Sequence, residues 1–86
     1  MARSDGQFEV VIIAESGVVH EGKCEALFVP SVKEQMVILA HHTPMIAKLG
    51  AGEIVVKTGR NKQAVANIKT GLLYVGDNEA TVLLDL

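Results

Sequence analysis

Tryptophan is absent from this chain of 86 residues, and its aromatic side chains are limited to Phe8, Phe28 and Tyr74. Small-molecule pockets commonly use aromatic walls, so this shortage argues against a ligand-binding module. Cys24 is the single cysteine. It cannot close an intrachain disulfide, and with no CxxC pair or Cys/His cluster it reads as a buried structural thiol rather than a metal ligand. No excess of basic residues exists, since ten acids face eight bases and the net charge is −2. The absence of a basic stripe argues against nucleic acid as a partner. No apolar run approaches the ~20 residues needed to span a bilayer. The polar lead Met1-Ala2-Arg3-Ser4-Asp5-Gly6-Gln7 lacks the apolar core of a signal peptide. Residues 1–7 are expected to form a flexible tail, and any membrane association is expected to come through a partner.

What remains is aliphatic. Almost half the chain is apolar (49%), and its core must be built from Val, Ile, Leu and Ala, side chains that suit pleated sheets. A chain this short buries only about 60% of its unfolded surface, which leaves room for a single domain. Phe8 to Ile13 reads as a first strand ending at Glu15-Ser16-Gly17, followed by a short Val18-Val19-His20 strand. Cys24 to Val29 reads as a third strand, with Cys24, Ala26 and Phe28 on one face and Glu25, Leu27 and Val29 on the other. Pro30-Ser31 stops it before the polar tip Lys33-Glu34-Gln35. Met36 to Leu39 is too short and too uniformly apolar to separate strand from one helical turn by period, and its length favours strand. Ile54 to Val56 and Ala64 to Ile68 form a hairpin whose turn can place Gly59 or Asn61 at positive φ. A second hairpin joins Leu72 to Val75 with Ala80 to Leu84 through Asp77-Asn78. Turn signals at this spacing, with no helical period, predict an all-β fold: a flattened two-sheet sandwich or barrel of about ten short strands over residues 8–86.

The stretch most suggestive of function is His41-His42-Thr43-Pro44, which interrupts an apolar run that resumes at Met45. Proline fixes its own φ and restricts Thr43, so a shaped loop is expected here. For His42 two readings stand: a ring hydrogen-bonded to the backbone around Pro44, or a contact with a partner. Adjacent His41 and His42 point to opposite faces in extended chain, which argues against joint metal chelation. Ser16 and Ser31 are turn residues, and no nucleophile motif surrounds them or Thr43. No catalytic, cofactor-binding or metal site is therefore expected. Tip and loop are separated by Met36 to Leu39, roughly 13 Å of extended chain, and can be neighbours or lie at opposite ends of that strand.

Taken together, Val29-Pro30, Val37-Ile38-Leu39, His42-Thr43-Pro44-Met45-Ile46, Leu49 with Gly50 and Gly52, Lys69 through Val75, and Asp77-Asn78 before Ala80-Thr81-Val82-Leu83 resemble the epsilon subunit family of the rotary ATP synthase. The resemblance runs from Phe8 to Leu86. It implies a ten-stranded N-terminal β-sandwich that attaches to the gamma subunit and sits on the c ring. The chain would then be a non-catalytic, peripheral subunit on the cytoplasmic face of an energy-transducing membrane, most simply the bacterial inner membrane, and a monomer when isolated. It implies that Glu34, Gln35 and the segment His42, Thr43, Pro44 face the c ring or gamma, and that Ala14 and Glu15 lie near gamma. The two-helix domain that many members carry after the sandwich has no counterpart in these residues, which read as a naturally short form or a trimmed piece. The chain differs from the family pattern between Pro30 and Leu39, where Ser31, Glu34 and Val37 stand in place of usual glycines, and at His41, a position often small or glycine. The competing classes are a biotinyl or lipoyl carrier presenting Lys57 beside Thr58-Gly59, an unrelated binding sandwich, and a small enzyme built on His20, His41 and His42.

Overall fold

The computed structural model describes residues 6–85, so most of the expected N-terminal tail lies outside the described residues. Nine strands are described and no helix. They are β1 (Phe8–Ala14), β2 (Gly17–Cys24), β3 (Ala26–Pro30), β4 (Gln35–Leu39), β5 (Met45–Leu49), β6 (Gly52–Thr58), β7 (Asn61–Ile68), β8 (Gly71–Gly76) and β9 (Glu79–Leu84). A five-stranded sheet, in the order β2-β1-β9-β8-β5, packs on a four-stranded sheet, β4-β3-β6-β7. The all-β sandwich read from the sequence is the fold. All pairings are antiparallel except β1 with β9, so the first and last strands close the domain side by side at the centre of the larger sheet.

Alternation in the strands decides which residues enter the core, because successive side chains point to opposite faces. Phe8, Val10 and Ile12 of β1, Leu73 and Val75 of β8, and Ala80, Val82 and Leu84 of β9 point inward. They meet Leu27, Val29, Ile38, Ile54, Val56 and Ile68 of the smaller sheet. Every core residue is aliphatic apart from Phe8 and Cys24, and no polar side chain is buried among the described residues.

One expectation is corrected here. Cys24 to Val29 is not one strand: β2 ends at Cys24 and β3 begins at Ala26, with Glu25 at a bend between them. The Glu25 N–H donates to the Lys57 carbonyl at 2.8 Å, and its Oε1 accepts from the Gly59 N–H at 3.0 Å. The break shifts the alternation by one, so Cys24 shares the interior with Leu27 and Val29, while Phe28 turns outward beneath the Lys62 ammonium, 4.8 Å from its ring centre. The second strand is also longer than read, running on through Glu21 and Gly22 to pair with the whole of β1. Met36 to Leu39 is strand, and Gly59 takes the positive φ of its turn (62°).

Candidate functional site

Two loops and one sheet face carry the exposed features of this fold. The tip at residues 31–34 joins β3 to β4. The Ser31 N–H donates to the Glu34 carbonyl at 2.9 Å, the Glu34 N–H donates to Ser31 Oγ at 3.1 Å, and the Ser31 hydroxyl donates back to the Glu34 carbonyl. A serine side chain thus closes the turn, and no residue of the tip needs the positive φ for which glycine would be favoured. Val32 projects from it, 71% exposed, with Lys33, Glu34 and Gln35 also exposed. Open clefts of about 520 and 470 Å³ flank the tip.

The loop at residues 40–44 carries the chain from the small sheet to the large one. His41 adopts φ 62°, a left-handed conformation that costs an L-residue free energy. Glycine would adopt this conformation without that cost. The His41 N–H donates to Asn78 Oδ1 at 2.7 Å. His42 is half-buried, and its Nδ1 lies 2.6 Å from the Thr43 carbonyl oxygen. A carbonyl only accepts, so Nδ1 is the donor in this contact. Thr43 and Pro44 are exposed.

Register separates these loops. β5 begins opposite Val75 and ends opposite Gly71, and Ser31 bridges to Leu49 at that far end. Tip and loop therefore occupy opposite ends of the sandwich. Ala14 and Glu15 share the tip's end, because Ile13 pairs with Leu83 beside the Gly71–Leu84 pair. Glu15 is exposed in the turn after β1, whereas the Ala14 side chain packs against the core.

The outer face of the larger sheet was not singled out from the sequence. Following the register across all five strands, Val18, Ile13, Leu83, Leu72 and Lys48 form one row, and Glu21, Val11, Thr81, Tyr74 and Ile46 form the next. Val18 (59%), Ile46 (65%) and Tyr74 (56%) are substantially exposed. The third row, Lys23, Glu9 and Glu79, is charged. An antiparallel sheet normally solvates one face, with polar residues alternating outward. Here an apolar band crosses the outward face and stops at charges. Alternation alone could have found it: Val11 and Ile13 interleave with Val10 and Ile12, as Leu72 does with Leu73, leaving those strands apolar on both sides.

Chemistry is thin by comparison. Among the described residues, no group of three His, Cys, Asp or Glu side chains gathers as a metal site. Burial pushes the Cys24 thiol up to about 11, a raise opposed by a hydrogen bond from the Ala26 backbone and reinforced by Glu25. Such a thiol is a poor nucleophile. Lys57, the lysine that a carrier module would present, lies within β6 opposite Lys62 and not at the turn.

Residues 7–86 match the family model described as ATP synthase, Delta/Epsilon chain, beta-sandwich domain. The chain belongs to that family. This delta/epsilon sandwich is 28% identical over 82 residues to the ATP synthase epsilon chain of Leptospira interrogans, covering 95% of this chain and 64% of that one. It is 35% identical over 88 aligned positions to the epsilon chain of Latilactobacillus sakei, covering 99% and 60%. It thus spans 60% to 64% of the length of these curated relatives. Its fold superposes with a TM-score of 0.84, at 17% identity, on a chain in the Euglena gracilis mitochondrial ATP synthase structure of OSCP, F1 and c ring, covering 96% of this chain and 53% of that one. A chain in the central stalk and c-ring structure of the Tetrahymena thermophila mitochondrial enzyme gives 0.70 at 13% identity, covering 88% and 61%.

Proposed function

We propose that this delta/epsilon sandwich is a non-catalytic part of the central stalk of a rotary ATP synthase, coupling c-ring rotation to the gamma shaft and so to ATP synthesis. The observation that carries the reading is the apolar band across all five strands of the larger sheet in a chain of this family. Gamma is the occupant assigned to that face. Five strands spaced about 4.8 Å apart, over roughly 20 Å of strand, offer about 400 Å² to a partner. A stable interface buries at least about 500 Å² on each side. The face therefore needs its flanks: Glu15, next to the inward-packed Ala14, extends it at one end, and His42, Thr43 and Pro44 at the other. Glu34 and Gln35, with the exposed Val32 on the same tip, are assigned to the c ring.

No reacting group is required for this work. A sandwich held on one face by the shaft and at one end by the ring passes torque between them if it does not deform. A close-packed aliphatic interior resists compression and transmits strain. Pairing of β1 with β9 helps, since it ties the first and last described strands together in the middle of the larger sheet. The domain is peripheral, held at the cytoplasmic face of a bacterial inner membrane through the complex alone, and is monomeric when isolated.

The test is gel filtration of the purified chain with the cognate gamma subunit at micromolar concentration. Co-elution in one peak is expected. Two separate peaks would defeat the reading.

A further inference from the structure

Asn78 does more than turn the β8–β9 hairpin. Asp77 (φ 42°) and Asn78 (φ 59°) are both left-handed, as a tight two-residue turn between Gly76 and Glu79 requires. At the second such position glycine is the easier residue, because it adopts positive φ without steric cost. Asn78 occupies it and uses its side chain in two directions. Oδ1 accepts the His41 N–H at 2.7 Å, and Nδ2 donates to the Gln7 carbonyl at 3.0 Å. Its own carbonyl accepts the Glu9 N–H at 3.3 Å. One residue thereby joins three segments distant in sequence: the approach to β1, the 40–44 loop, and the hairpin itself.

His41 has the greatest need of such a partner. It is held at φ 62°, and a left-handed histidine relaxes unless the surroundings fix it. Besides the Asn78 bond, the loop's short-range restraints are the His42 N–H donating to the Leu39 carbonyl at 3.3 Å and the His42 ring on Thr43. Both lie within the loop's own neighbourhood in sequence. The Asn78 amide alone of these ties the loop to the larger sheet, on whose outer face the apolar band lies.

We infer that Asn78 is a positioning residue, which locks the His41 backbone and so presents His42, Thr43 and Pro44 in the geometry that the shaft meets. This rests on the docking reading above. The experiment compares Asn78→Gly with Asn78→Asp in the whole 86-residue chain, labelled with ¹⁵N. Glycine keeps or improves the turn and removes both side-chain bonds. Aspartate keeps an acceptor for His41 and removes only the donor to Gln7. Two readouts are taken: hydrogen exchange of the His41 amide in the free protein, and affinity for the cognate gamma subunit by calorimetry.

Asn78→Gly is expected to expose the His41 amide to exchange and to weaken gamma binding about tenfold, because the loop must then be ordered at the moment of binding. Asn78→Asp is expected to retain His41 protection and to bind within about threefold of the parent, a small loss matching the missing Gln7 bond. Unchanged His41 exchange in Asn78→Gly would overturn the inference, as would equal loss of gamma affinity in both variants. Failure of the parent chain to bind gamma would defeat the docking reading, and the His41 exchange comparison would still decide whether Asn78 holds the loop.

Discussion

Replacing Ile46 by glutamate is the direct test of the apolar face. Ile46 is 65% exposed and pairs across strands with Tyr74, so it sits in the band without supporting the core. Fully burying an isoleucine is worth about 1.5–3 kcal/mol, and burying the part still exposed is therefore worth about 1–2 kcal/mol. Loss of that amount alone weakens gamma binding by roughly 5- to 30-fold. The introduced carboxylate adds to it, since an unpaired charge enclosed at an interface costs further kcal/mol unless it finds a partner. Stability should hardly change: the cross-strand pair with Tyr74 contributes about 0.2–1 kcal/mol. For a domain of this size that shifts the melting midpoint by no more than about 8 °C. The assay is calorimetric titration with the cognate gamma subunit, paired with thermal unfolding followed by circular dichroism. Val37→Glu supplies the control, because Val37 is 45% exposed on the outer face of the other sheet, opposite Phe28. It should leave gamma affinity unaltered. A folded Ile46→Glu chain that binds gamma as tightly as the parent would refute the assignment, and a loss caused by Val37→Glu alone would mean the shaft lies on the opposite face.

Three further outcomes follow from the interior and the strained loop. Val82 is fully buried at the centre of β9, so Val82→Asp places an unpaired carboxylate in the core at a cost of several kcal/mol. In a domain whose total stability is about 5–15 kcal/mol this should abolish the cooperative melt, and a cooperative transition near the parent's would contradict the strand's inward face. His41→Gly relieves a left-handed residue while His41→Ala keeps the Cβ and its cost, so the glycine variant should be the more stable of the two by about 1 kcal/mol in urea unfolding; an order reversed would count against the backbone described. Cys24 carries a folded-state value of about 11 against 9.0 unfolded. The folded chain thus holds its proton where the unfolded chain has released it, and stability should be level below pH 9 and decline between pH 9 and 11. Cys24→Ala should flatten that decline, and an identical pH profile in the variant would assign it elsewhere.

Much of the sandwich was legible because its cues are local. Breakers such as Pro30-Ser31 and Gly59 stop or turn the chain where they stand, and Asp77-Asn78 accept positive φ as a tight hairpin demands. Cues spread across the chain were harder to read. The bend at Glu25 depends on hydrogen bonds to Lys57 and Gly59, more than thirty residues away, and it puts Cys24 in the interior with Leu27 and Val29 instead of on the face of Phe28. The separation of the tip from the 40–44 loop rests on Met36 to Leu39 running extended between them, which its pairing along β3 fixes and its uniform apolar run left to length alone. The Asn78 bond to His41 spans 37 positions. In the outer band, the interleaving of Val11 and Ile13 with Val10 and Ile12 marks β1 as apolar on both sides, but a continuous apolar run does not say which of its faces is covered.

An apolar outer face on a small sheet protein is a liability until its partner arrives, and the charges around the band have a physical task. Lys48 closes one end of the first row, Glu21 closes the opposite end of the second, and Lys23, Glu9 and Glu79 fill the third. Two copies stacked face to face would have to bury these charges, partly like against like. A single partner carrying the opposite pattern would not. The same logic applies to the open edges, where an unpaired strand invites addition of another. The edge strand β2 carries His20, Glu21 and Lys23, while β7 carries Lys62, Gln63 and Asn67. Charged and polar side chains on those edges raise the cost of edge-to-edge pairing. The band is thus sticky only for a surface that can thread between its charges, and selectivity for one shaft follows from the polar border as much as from the apolar centre.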